Sequence, residues 1–145
     1  VRKKILAALA ALFAAMVLLV ATPSPAHAVG WSGQRCDDTV EGVIACIQVH
    51  TVTYGGAYKV DTVQLCMGMW KANNHVRGIV RNGITFPGTW RYGIPDVAKG
   101  GGCSYAYPNY VMSNGCYTAN GDVDLSWYPD NDHWKVTGRI LGGAC

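Results

Sequence analysis

Residues 43–70 read VIACIQVHTVTYGGAYKVDTVQLCMGMW, two apolar–polar alternations around a Gly-Gly pair. Alternation puts every second side chain on one sheet face, and a glycine pair supplies a tight reversal, so the stretch predicts a β-hairpin. With Gly55-Gly56-Ala57 as the loop, Val43 opposes Met69, Ala45 Met67, Ile47 Leu65 and Val49 Val63. These pairs make an apolar face. The other face pairs Gln48 with Gln64, His50 with Thr62 and Cys46 with Cys66. A slip of one residue would exchange the two faces, so the pattern sets the register. A three-residue loop prefers glycine last, where Ala57 stands. A plain Gly55-Gly56 turn would carry Gln64 and Thr62 to the apolar face unless a bulge intervenes. The opposed cysteines predict a Cys46–Cys66 disulfide, closing a loop of about twenty residues and contributing on the order of 3 kcal/mol.

A second hairpin is predicted in DVDLSWYPDNDHWKVTGRIL, residues 122–141. A loop at Pro129-Asp130-Asn131-Asp132 pairs Tyr128 with His133, Trp127 with Trp134, Leu125 with Val136 and Val123 with Gly138. Its polar face pairs Ser126 with Lys135, Asp124 with Thr137 and Asp122 with Arg139. Both tryptophans then belong to the core, and the aspartates to a strand face and a turn. Between the hairpins, Asn82-Gly83 and Pro87-Gly88 are both turn signals that the sequence alone does not separate, and Asn120-Gly121 reads as a tight turn. Only Asp37–Gly42 has room for a helical turn. Residues 29–145 hold thirteen Val and six Ile against three Leu, with eighteen Gly and one Glu. That composition suits short strands joined by tight turns. The expectation is an all-β fold, a small disulfide-stapled antiparallel β-sandwich, with a small β-barrel as the alternative.

Ahead of this domain, Arg2, Lys3 and Lys4 precede an unbroken apolar run over 5–21, then Pro23, Pro25 and Ala26-His27-Ala28. This order predicts a signal peptide over 1–28 and a single secreted β domain over 29–145. The rival is an uncleaved membrane anchor, against which the two prolines and the Ala-x-Ala weigh. Val1 reads as a literally translated alternative start codon, which suggests a bacterial gene. The formal charge of +3 resides entirely in the leader; residues 29–145 carry nine Lys+Arg and nine Asp+Glu. That balance argues against nucleic acid, and after cleavage against a membrane surface, as partner.

All six cysteines, at 36, 46, 66, 103, 116 and 145, follow the leader. An exported chain meets oxidising conditions, so three disulfides are expected, and no close cysteine pair suits zinc. Besides Cys46–Cys66, the expected bonds are Cys103–Cys116 and Cys36–Cys145.

No catalytic motif stands out. His50, His75 and His133 sit in no metal or nucleophile pattern, and Gly30-Trp31-Ser32-Gly33 is one residue short of Gly-x-Ser-x-Gly. Gly100–Gly102 lacks the residues of a phosphate loop, and Asp130 with Asp132 lacks the spacing of a calcium loop. No cofactor, metal site or catalytic residue is assigned. The most suggestive segment is CSYAYPNYVMSNGCY, 103–117, rich in Tyr, Ser and Asn. Tyrosine gives large contact area at small entropic cost. The candidate binding residues are Trp90, Tyr92, Tyr105, Tyr107, Tyr110 and Tyr117. The competing reading has these tyrosines alternating into the core.

The patch Gly88-Thr89-Trp90-Arg91-Tyr92-Gly93 and the Tyr/Asn-rich segment after it resemble small secreted bacteriocins of the lactococcin 972 type. The resemblance covers this short stretch, and the cysteines and first hairpin have no counterpart in it. It implies an antibacterial role. The leading expectation is a secreted, non-catalytic binding protein for an extracellular protein or glycan, including an inhibitor of an extracellular hydrolase. The alternatives are the bacteriocin-like protein and a small extracellular hydrolase.

Overall fold

The computed structural model describes residues 29–40, 42–69, 75–112, 114–126, 132–141 and 145. The leader of the sequence reading lies outside them. Eleven strands run through the described residues: β1 (Gly30–Trp31), β2 (Arg35–Asp37), β3 (Val43–Tyr54), β4 (Ala57–Met69), β5 (Val76–Thr85), β6 (Arg91–Ile94), β7 (Val97–Ala98), β8 (Gly102–Ala106), β9 (Tyr110–Met112), β10 (Cys116–Leu125) and β11 (Asp132–Arg139). Sheet A has the order β1-β3-β4-β8, with β2 also beside β3 and β9 also beside β4. Sheet B has the order β11-β10-β5-β6, with β7 also beside β5. The pairings are antiparallel, and the two layers form an open sandwich, not a closed barrel. No helix occurs among the described residues. In the stretch Asp37–Gly42, which had room for a helical turn, Asp37 instead ends β2, and beyond it the Val43 N–H donates to the Val40 carbonyl at 3.1 Å.

The β3–β4 hairpin keeps the expected register from Val43↔Met69 to His50↔Thr62. The reversal itself is a two-residue turn, with Gly55 at φ 54° and Gly56 at φ 80° and Tyr54 opposite Ala57. Two successive positive φ values are what glycine permits and what the twist of a tight hairpin requires. A bulge at Asp61, between the pairs His50↔Thr62 and Thr51↔Val60, absorbs the extra residue. Val43, Ile47, Val49, Val63 and Leu65 therefore all face the core, as the alternation demands.

The second hairpin differs. Val123 opposes Asp132, Asp122 opposes His133, Gly121 opposes Trp134 and Cys116 opposes Arg139. The pairing is displaced by six residues from the expected one. The displacement is even, so Val123, Trp134 and Val136 still point inward. Asp122 does not meet Arg139, and Trp127 with the expected loop residues 129–131 lies outside the described residues. Asn120-Gly121 is no turn. It sits inside β10, where a Cβ at Gly121 would meet the Asn82 side chain and the Trp134 indole. Of the two earlier turn signals, Pro87-Gly88 makes the β5–β6 reversal, with Thr89 N–H donating to the Phe86 carbonyl at 3.2 Å.

Three disulfides form, with pairings other than those expected: Cys36–Cys46, Cys66–Cys103 and Cys116–Cys145. Cys36, Cys46, Cys66 and Cys103 stand in one transverse row across β2, β3, β4 and β8. A residue in a central antiparallel strand turns its N–H and C=O to one neighbour, making the wide pair there and the close pair on the other side. The bonded pairs have Cα–Cα separations of 4.0 Å, which marks them as the close ones. Cys46 and Cys66 face each other across the wide pair and each bonds outward. Cys103 is thereby taken, the Tyr-rich segment is not closed onto Cys116, and Cys116 anchors Cys145.

The core is the space between the two inner faces, with Trp134, Tyr117, Ile79 and Ile84 from sheet B and Phe86 just after β5 against Ile47, Val49 and Leu65 from sheet A. Burying side chains of this size contributes roughly 1.5–3 kcal/mol each before entropy is counted. The polar exceptions among the described residues are Thr51, whose Oγ1 donates to the Gly30 carbonyl at 3.3 Å, and Asn82. Its Oδ1 accepts the Trp134 indole N–H at 3.2 Å and its Nδ2 donates to the Ile79 carbonyl at 3.1 Å. At one edge the Lys135 N–H donates to Asp37 Oδ2 at 2.6 Å, so β2 of one sheet caps β11 of the other.

Candidate functional site

The outer face of sheet A gathers polar and aromatic side chains in ordered rows. The alternation that buries Val49 turns Gln48 and His50 outward, and their partners Gln64 and Thr62 with them. The bulge then adds Asp61 to the same face, because the extra residue breaks the alternation. His50 Nδ1 and Asp61 Oδ1 are 2.7 Å apart. On the edge strand β1, Trp31 opposes His50, and the two ring centroids are 5.0 Å apart. In the next row Gln48 Nε2 donates to Gln64 Oε1, whose own Nε2 donates to Tyr105 Oη at 2.8 Å. Tyr105 stands on β8, opposite Gln64. The cysteine row follows Gln48 and Gln64 along the same strands and ties β2 to β3 and β4 to β8.

Trp31 is 47% exposed and Tyr105 42% exposed, so each offers part of its ring to solvent. Three strand spacings and one row separate them, which puts their Cα atoms roughly 16 Å apart. Between them lie two amides, an imidazole and a carboxylate that hydrogen-bond one another within the face. That arrangement lowers the entropy lost when the same groups bind a ligand.

The sequence-predicted aromatics scatter. Tyr105 lies on this face. Tyr107 and Trp90 are exposed on other segments, the β8–β9 link and the β5–β6 turn, with Trp90 at 91%. Tyr110 stacks on Phe86 at 4.7 Å between ring centroids and donates from Oη to the Pro87 carbonyl at 3.0 Å. Tyr92 also packs against Phe86, tilted, with centroids 5.6 Å apart. Tyr117 is fully buried. Burial pushes its phenol up from the ordinary value, against the smaller opposing effects of Ser32 and Arg35. Alternation along β9 and β10 accounts for this inward packing.

Sequence reasoning missed Trp31 and Asp61. Trp31 sits on a two-residue strand with no periodicity to read, and Asp61 reaches the face only through the bulge. All six cysteines are bonded. Among the described residues no three metal-ligating side chains converge; Asp130, weighed for calcium, lies outside them. Among the same residues neither His50 nor His133 has a serine within hydrogen-bond distance. The Ser126 Oγ to His75 Nδ1 contact is 3.5 Å, too long for an activated nucleophile.

The fold and this face define a disulfide-stapled antiparallel sandwich with a polar outer face edged by aromatic rings. No family model matches the chain, and no curated protein or solved structure matches it either.

Proposed function

We propose that the protein is a secreted, non-catalytic glycan-binding module, and that the outer face of sheet A is its binding face. The observation that carries this reading is the pairing of half-exposed Trp31 and Tyr105 across two neighbouring hydrogen-bonded pairs, Gln48 with Gln64 and His50 with Asp61. Ring faces pack on the C–H faces of sugars, and amide, imidazole and carboxylate groups exchange hydrogen bonds with hydroxyls. A protein partner fits less well. Protein interfaces place their aromatic anchors centrally in an apolar patch, and here the centre is polar while the rings stand at the edges. Secretion is supported by the leader-like sequence over 1–28 and by three disulfides, which suggest an oxidising environment.

The test is a panel of neutral cello-, chito-, malto- and manno-oligosaccharides titrated into the oxidised protein. Binding of at least one, weakened about tenfold in Trp31→Ala or Tyr105→Ala, is the expected result; tenfold is about 1.4 kcal/mol. Absence of binding across the panel, together with capture of an extracellular hydrolase from culture supernatant, would replace this reading with the inhibitor.

A further inference from the structure

The opposite face of the sandwich carries a cluster of different chemistry. On sheet B, β5 has two residues, Arg81 and Asn82, where β10 has one, Gly121. Arg81 takes the left-handed φ of 51°, uncommon for a residue with a side chain. Both of its backbone groups are held: the N–H donates to Asp96 Oδ1 at 3.1 Å, and the carbonyl accepts from Arg91 Nη2 at 2.6 Å. The bulge turns Asn82 into the core and leaves Arg81 on the outer face.

There the Arg81 guanidinium pairs with Asp122 Oδ2 at 2.5 Å, and His133 Nδ1 stands 2.6 Å from Asp122 Oδ1. The Arg91 guanidinium lies across Gly83, where any Cβ would collide with it. Its Nε donates to Asn120 Oδ1 and its Nη2 to the Asn120 carbonyl, both at 3.1 Å. With Lys135 on the neighbouring strand, these residues line an open cleft of about 400 Å³. Among the lining residues Arg81, Arg91 and Lys135 are basic and Asp122 is the one carboxylate, with Asp96 and Asp37 just outside the lining, on the backbone N–H groups of Arg81 and Lys135. The excess is local, since residues 29–145 are formally neutral.

We propose that this cleft binds the anionic groups, sulfate or carboxylate, of an acidic polysaccharide. Guanidinium groups held in fixed orientation are suited to oxyanions. The side chains are well exposed, Arg81 at 69% and His133 at 79%. An isolated small anion would therefore keep its water on the open side and gain little. A polymer that repeats the charge gains through repeated engagement. An acidic peptide would want an accessible apolar anchor site, and the one apolar side chain in the lining, Trp134, is buried. Nucleic acid would want a broader cationic surface with aromatic stacking partners.

The test titrates the oxidised protein with a heparin oligosaccharide and with a polygalacturonate fragment at low and raised salt. Both should bind, more weakly as salt rises. Lys135→Gln and Arg81→Gln should each weaken binding roughly three- to fivefold. Asp122→Asn, which removes the carboxylate of the cleft, should tighten it. That opposite sign separates a binding role from a folding defect. Lys99→Gln, an exposed cation beyond β7, should leave the affinity unchanged. A neutral oligosaccharide bound on sheet A should bind Lys135→Gln and the parent alike, so the two readings fail separately. Absence of binding to either acidic ligand at low salt, or equal weakening by Lys99→Gln and Lys135→Gln, would overturn the proposal.

Discussion

The carboxylate of Asp61 stands 2.7 Å from Nδ1 of His50 because β4 carries one residue more than β3 at that point. Without the extra residue, strict alternation would leave Asp61 facing away from His50. Sheet B uses the same device, where Arg81 and Asn82 oppose Gly121 and Arg81 reaches Asp122. Each bulge delivers a charged side chain to an outer face, while Val60 or Asn82 beside it stays buried.

The disulfide pairing gives the first prediction. Digestion of the non-reduced protein should release linked peptides joining Cys36 to Cys46, Cys66 to Cys103 and Cys116 to Cys145. A peptide joining Cys46 to Cys66 would contradict the close-pair argument, since those two residues face each other across the wide pair.

The packing at Gly121 gives the second. A methyl group there would meet Asn82 Oδ1 and come within 2.6 Å of the Trp134 indole nitrogen. Gly121→Ala should destabilise the protein by about 1–3 kcal/mol. Gly93→Ala, with no atom within 4 Å of the added carbon, should change stability by less than about 0.5 kcal/mol. Thermal unfolding of both variants checks the contrast.

Asp37 gives the third. Partial burial pushes its carboxyl up, but hydrogen bonds from the Lys135 N–H and from Thr39 outweigh burial and hold it below the usual 3.8. The unfolded chain therefore takes up this proton first as pH falls. The contribution of Asp37 is complete above the unfolded value and is lost as pH falls through the folded one. The stability difference between the parent and Asp37→Asn should be constant near pH 6–7 and shrink below about pH 4. Denaturant titrations across that range read it, and a difference that grows on acidification would contradict the assignment.

The residues show what a sequence can and cannot reveal here. The β3–β4 register was readable because Val43 to Val49 and Val63 to Met69 keep their apolar residues, the cysteines aside, on every second position, broken only at Ile44, and the bulge at Asp61 lies beyond the pairs that fix it. The faces of β10 and β11 were readable too, but their offset was not, since an even displacement leaves the apolar pattern intact. Asn120-Gly121 has the composition of a turn, yet its glycine makes room for the Trp134 indole, a contact with no local signal. The cysteine row was half visible. Cys46 opposite Cys66 followed from the pattern, whereas which pairs are close depends on backbone orientation and on β2 and β8. On the candidate face stand Tyr105, one of the sequence candidates, and Trp31, which was not among them because β1 is too short to carry a period.

The face of sheet A is tested most directly by amide and indole resonances during titration with the tightest-binding neutral oligosaccharide of the panel. The account predicts shifts at the Trp31 indole N–H, the Gln48 and Gln64 side-chain amides and the Tyr105 backbone amide, with the buried Trp134 indole unmoved. Shifts confined to Trp90, Tyr107 or the sheet B cleft, with those sheet A signals stationary, would contradict it.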